Sequence, residues 1–131
     1  MTLKELSQLY YLNREVEMLK SKIAELEAQA ANTANNITGM PKGGGISDKT
    51  GRIGTEIAYY KAVLDERILL CRFTLIKLNE YISKCDDSFV RLILEYRFIN
   101  GLPWQQVAAN IGMSATEYSV KKAAYRYIKK H

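Results

Sequence analysis

Histidine, cysteine and proline are scarce in this 131-residue chain, and each scarcity removes a class of protein. The only histidine is His131, and the two cysteines, Cys71 and Cys85, stand far apart with no CxxC pair. A structural zinc site needs about four soft or borderline ligands, so no metal or other cofactor is expected. The thiols read instead as core groups in a reducing compartment. With histidine confined to the last position and no nucleophile–base spacing, the chain is not expected to be an enzyme. Long apolar runs are also missing. The stretch Ile68-Leu69-Leu70-Cys71 is typical, so no membrane-spanning helix is expected. Met1-Thr2-Leu3-Lys4-Glu5 lacks the apolar core of a secretory signal, which makes the cytoplasm the expected location.

What is present is apolar residues at 47%, enough for a core, and an excess of Lys and Arg giving a net charge of +5. Only Pro41 and Pro103 interrupt the chain, which fits long helices. The charge excess is concentrated at one end. From residue 114 onward, Lys121, Lys122, Arg126, Lys129 and Lys130 face a single acid, Glu117. Nucleic acid is permitted as a partner by the total and suggested by the placement.

The spacing divides the chain into four segments. Residues 1–30 carry Leu9, Leu12, Val16, Leu19, Ile23, Leu26 and Ala30 at alternating steps of three and four, a coiled-coil helix. In that register Glu15 would meet Lys20, and Lys22 would meet Glu27, of a parallel second copy. One arm of a hairpin within the chain would show the same stripe. Residues 31–54, rich in Asn, Thr and Gly, are expected to be a flexible Gly-rich loop. Its GGGISDKT stretch fails as a phosphate-binding loop. Asp48 stands where a glycine is required, and no apolar strand precedes it. Residues 55–85 form a second long helix, with Ile57, Leu64, Ile68, Cys71, Leu75, Leu78 and Ile82 as its stripe. Tyr60, Val63, Leu70 and Phe73 widen that band, which implies burial against more than one neighbour.

Residues 86–131 carry the functional signal. Asp86-Asp87-Ser88 offers N-caps for a short amphipathic helix that Asn100-Gly101 stops. Pro103 suits the first turn of the next helix, whose apolar face is Val107, Ala108 and Ile111. Gly112 can take the positive φ that ends it. Ser114-Ala115-Thr116-Glu117 has the form of a capping box, with Ser114 as N-cap, opening a basic final helix. A short helix, a three-residue turn with Gly and a capped basic helix together predict a helix-turn-helix. Its candidate DNA-binding residues are Ser114, Thr116, Ser119, Lys121, Lys122, Arg126 and Lys129. The first residues of the helix would face base edges, and Arg126 and Lys129 the phosphate backbone. The tyrosines Tyr10, Tyr11, Tyr59, Tyr60, Tyr125 and Tyr127 read as core or subunit contacts at helical spacing.

Arg91 to Ser114, RLILEYRFINGLPWQQVAANIGMS, resembles region four of bacterial sigma factors, the part that reads the −35 promoter element. The upstream PKGGGISDKTG, after a leucine-rich arm, is similar to small phage proteins related to the ArpU and RinA type regulators of late transcription. The resemblance implies an all-α protein: an N-terminal helical hairpin or coiled-coil arm, then a sigma region-four-like helix-turn-helix. It implies a phage or prophage transcriptional regulator in the bacterial host cell, with double-stranded DNA and RNA polymerase as partners; a homodimer through the arm is what the heptad register of residues 9–30 allows as the alternative to a hairpin. Aligned without a gap, the sigma base-reading pair falls on Ala115 and Thr116, Tyr118 becomes buried and Lys121 takes an apolar position. A shift of two residues buries Val120, Ala123, Tyr127 and Ile128 instead, with a longer turn. Both registers stay open on the sequence. Nothing resembles sigma region two, so the chain is not expected to act alone as a sigma factor. A terminase small subunit for DNA packaging and a helical adaptor that binds no DNA are the alternative readings.

Overall fold

The computed structural model describes the backbone of residues 1–37 and 44–131, with side chains for 1–32 and 51–131. The chain is all-helical, as expected, with no strand among the described residues. Its helices are α1 (Leu3–Ile37), α2 (Gly44–Ser83), α3 (Ser88–Leu94), α4 (Trp104–Ile111) and α5 (Glu117–Lys130). A single widened π turn, Glu95–Ile99, continues α3. Among the described residues no helix is long and apolar enough to cross a membrane, and no group of three or more metal-ligating side chains occurs.

The expected loop at 31–54 is corrected in part. Residues 31–37 belong to α1 and 44–54 to α2, while 38–43 lie outside the described residues. Burial of Ile53 favours the helical extension, within which the Thr55 hydroxyl donates back to the Gly51 carbonyl at 2.9 Å.

The chain forms two compact units, Met1–Asn13 with Leu70–His131, and Arg14–Leu69. In the second, Val16, Leu19, Ile23 and Leu26 of α1 and Ile53 of α2 are buried. The two helices meet there within one chain. Arg67 Nε donates to Glu15 Oε2 at 2.9 Å, Lys61 approaches Glu27 at 3.5 Å, and Lys22 lies over the Tyr60 ring at 4.6 Å. The bond to Glu15 raises the Arg67 pKa, and hydrogen bonding to Tyr60 raises that of Lys22.

In the first unit, α1 opens with a reciprocal cap. Thr2 N–H donates to Glu5 Oε2 at 2.8 Å, and Glu5 N–H donates to Thr2 Oγ1 at 3.2 Å. The bond from the Thr2 backbone holds the Glu5 carboxyl below its usual pKa. The core joins Leu6 and Leu9 of α1 and Leu78 and Ile82 of α2 to Ile93, Leu94, Phe98, Trp104, Val107 and Val120. Asp87, within the predicted trio, caps α3 by accepting from Phe89 N–H at 2.9 Å. The guanidinium of Arg91 closes the α2–α3 corner, donating to the Cys85 carbonyl and to Ser88 Oγ. Phe89, in the first turn of α3, is exposed. Leu70 and Phe73 are exposed too, so they do not widen the buried band as predicted.

Candidate nucleic-acid interface

Packing fixes α4 before any surface chemistry enters. Pro103, extended at φ −61° and ψ 153°, precedes Trp104. The Trp104 ring is buried edge-on between Phe98 and Tyr125, at 6.3 and 5.8 Å. Arg97 lies over the same indole at 4.7 Å and donates to the Leu102 carbonyl at 3.0 Å. Gly101 sits at φ +70°, a conformation that glycine alone adopts without a Cβ penalty. Val107 and Ala108 turn the other side of α4 onto the core, and α4 packs against α5.

The turn between these helices differs from the expectation. It runs five residues, Gly112 to Thr116, rather than three. Gly112 (φ +70°), Met113 (φ +49°) and Ser114 (φ +67°) are all left-handed. The N-cap is Thr116, not Ser114. Thr116 Oγ1 accepts from Ser119 N–H at 3.1 Å, and Ser119 Oγ accepts from Thr116 N–H at 2.9 Å. The predicted Ser114–Glu117 box does not form. Tertiary burial decides between the two starts. Beginning α5 at Glu117 buries Val120 and Ala124 completely and half-buries Ala123, Tyr127 and Ile128. The gap-free register would bury Tyr118, which is instead 72% exposed.

That register sorts the candidate residues into two sets. Lys121, Lys122, Arg126 and Lys129 are exposed and line one open groove on the outer face of α5. Ser114 is exposed in the turn, while the Thr116 and Ser119 hydroxyls are engaged in the cap. The four cations come together, the Thr116 and Ser119 hydroxyls serve the helix start, and Ser114 does neither. Tyr118 and Tyr125 complete the groove, and sequence reasoning missed both roles. Lys122 lies over Tyr118 at 5.6 Å and Lys121 over Tyr125 at 5.9 Å. The spacing 118, 122, 125, 129 was the available signal, an outer stripe offset from the buried one.

At the other edge of α5, Arg126 also borders a groove with Asp86, Asp87, Tyr127 and Lys130. Beneath it Cys85 is buried, and Tyr127 packs edge-on against Tyr81 at 5.7 Å. Burial pushes both tyrosine hydroxyls above their ordinary pKa. Among the described residues, the buried Tyr81 hydroxyl has no hydrogen-bond partner.

No protein-family model, no curated protein and no solved structure matches the chain.

Proposed function

We propose that this chain is a DNA-binding transcriptional regulator of phage or prophage late genes, with α4, the turn and α5 acting as a helix-turn-helix. One observation carries the reading. The outer face of α5 gathers Lys121, Lys122, Arg126, Lys129, Tyr118 and Tyr125 in one groove, while the opposite face is locked into the core. A helix of 14 residues is about 21 Å long at 1.5 Å per residue, and the major groove admits a helix of this width. The four cations neutralise phosphates, and the two phenols donate hydrogen bonds to phosphate oxygens or stack on sugar and base edges. The resemblance of Arg91–Ser114 to sigma region four supports promoter DNA as the target and RNA polymerase as a second partner.

Footprinting on phage promoter DNA at two salt concentrations tests the reading. Protection should appear at low salt and weaken steeply at high salt, because each neutralised phosphate releases counterions. Lys121→Glu with Lys122→Glu should abolish protection while leaving the helical circular dichroism unchanged. A folded protein that protects no DNA at low salt sinks the proposal. A large ring that stimulates a packaging ATPase would point to a terminase subunit instead.

A further inference from the structure

A cleft of about 340 Å³ opens between the first turns of α1 and the segment that leads into α4, all within the unit Met1–Asn13 with Leu70–His131. Leu6, Tyr10 and Tyr11 form one wall, and Phe98 and Pro103 the other. Its lining holds one cation, Arg97, and no acid. Arg97 is half-buried. Its guanidinium lies over the Trp104 ring at 4.7 Å, and Nη1 donates to the Leu102 carbonyl at 3.0 Å. Among the described residues it pairs with no carboxylate, whereas the guanidinium of Arg67 has Glu15. A concave site of a few hundred Å³, mostly apolar and with a charged group to fix orientation, is the usual form of a small-molecule pocket.

We propose that this cleft binds a small aromatic carboxylic acid. The guanidinium fork takes the carboxylate, and the ring packs among Tyr10, Tyr11 and Phe98. The lining selects both halves of the ligand. One guanidinium neutralises a monoanion, and a phosphate dianion would leave a charge unpaired beside Leu6 and Phe98. The aromatic walls supply most of the contact area, and a carboxylate without a ring leaves that area wet. Trp104 is the only tryptophan of the chain. Because Arg97 lies over its indole, pairing that guanidinium with a carboxylate changes the field at the ring. Tryptophan fluorescence therefore reports occupancy directly, without DNA.

Titration of the full chain with phenylacetate and 3-phenylpropionate, followed by Trp104 fluorescence and by calorimetry, provides the test. A saturable response with a Kd of about 1 mM or below is expected. Acetate, 2-phenylethanol and inorganic phosphate should give none in that range, since each lacks the ring or the carboxylate. Arg97→Gln should weaken binding by about tenfold to a hundredfold, and Arg97→Lys, which keeps the charge and loses the fork, by about tenfold. If the Arg97 variants lose helical signal, Tyr11→Ala decides. Tyr11 is 62% exposed, so its removal should leave the fold intact while weakening binding by about tenfold. Four outcomes would overturn the proposal. They are no saturable response to either acid below about 10 mM, binding indifferent to Arg97→Gln and Tyr11→Ala, an equal response to 2-phenylethanol, and an equal response to phosphate.

Discussion

The two units are built from the same kind of helix yet differ in how they are held. In Arg14–Leu69, two long helices meet along a narrow strip of Val16, Leu19, Ile23, Leu26 and Ile53, edged by the exposed Lys61–Glu27 pair and the half-buried Arg67–Glu15 pair. In the unit containing α3 to α5, these short helices share one core with the ends of α1 and α2, and Leu6, Leu78, Ile93, Leu94, Val107 and Val120 are fully buried. Surface ion pairs contribute little and screen with salt, whereas three-dimensional burial is cooperative. Stability is therefore concentrated beneath the basic face, and the paired stretch is the part free to open. Amides of residues 14–32 and 51–69 should exchange faster than those of α4 and α5.

The sharpest way to break this contrast is Trp104→Ala. The indole is buried and packs against Phe98, Tyr125 and the Arg97 guanidinium, so its loss should cost about 3–5 kcal/mol in urea denaturation. Tyr125 also loses its support, so DNA protection should fall together with stability. Ile23→Ala tests the other side. Ile23 is buried in a two-helix strip, where neighbours collapse readily into a void, so about 2 kcal/mol is expected. Its effect on hydrogen exchange should stay within residues 14–32 and 51–69. Faster exchange of α4 amides in that variant would show that the two units open together.

Much of the better-packed unit could be read from residue types alone. Asp87 as a cap, Gly101 and Gly112 as stops, and Val107 with Ala108 as a buried face follow from local rules, and each is found. The start of α5 does not follow, because Ser114 and Thr116 are equally good caps. Only the core distinguishes them, by rewarding burial of Val120 and Ala124. The glycine-rich stretch misled for the opposite reason. Composition there favours a loop, yet α2 already includes residues 44–54 and carries the buried Ile53. Tyr118 and Tyr125 were legible only as a pattern relative to Val120 and Ala124, so they surfaced once that register was fixed.

Tyr81 offers a smaller test of the compact unit. Its hydroxyl is buried without a partner among the described residues, so Tyr81→Phe removes a desolvated polar group at little packing cost. A gain of about 1 kcal/mol is expected. The same burial predicts a pH dependence. The folded state holds Tyr81 and Tyr127 neutral at a pH where the unfolded chain releases those protons. Their stabilisation is fully present below the ordinary tyrosine pKa and is lost as pH rises through the raised folded values. Alkaline denaturation of wild type should start in this unit, and Tyr81→Phe should shift it to higher pH.

The smallest effect concerns the turn that leads into α5. Met113 is 99% exposed and left-handed at φ +49°, so its side chain stabilises nothing while its Cβ opposes the backbone. Met113→Gly relieves a conformational cost of about 1–2 kcal/mol and gives back about 0.4–1 kcal/mol in unfolded-state entropy. The net gain should be about 0.5 kcal/mol, seen as a higher urea midpoint with an unchanged slope. Met113→Val, whose branched Cβ fits this region worse, should shift the midpoint the other way. Equal midpoints for both variants would mean that the turn imposes no backbone constraint, and that Thr116 and the buried Val120 alone hold α5 in place.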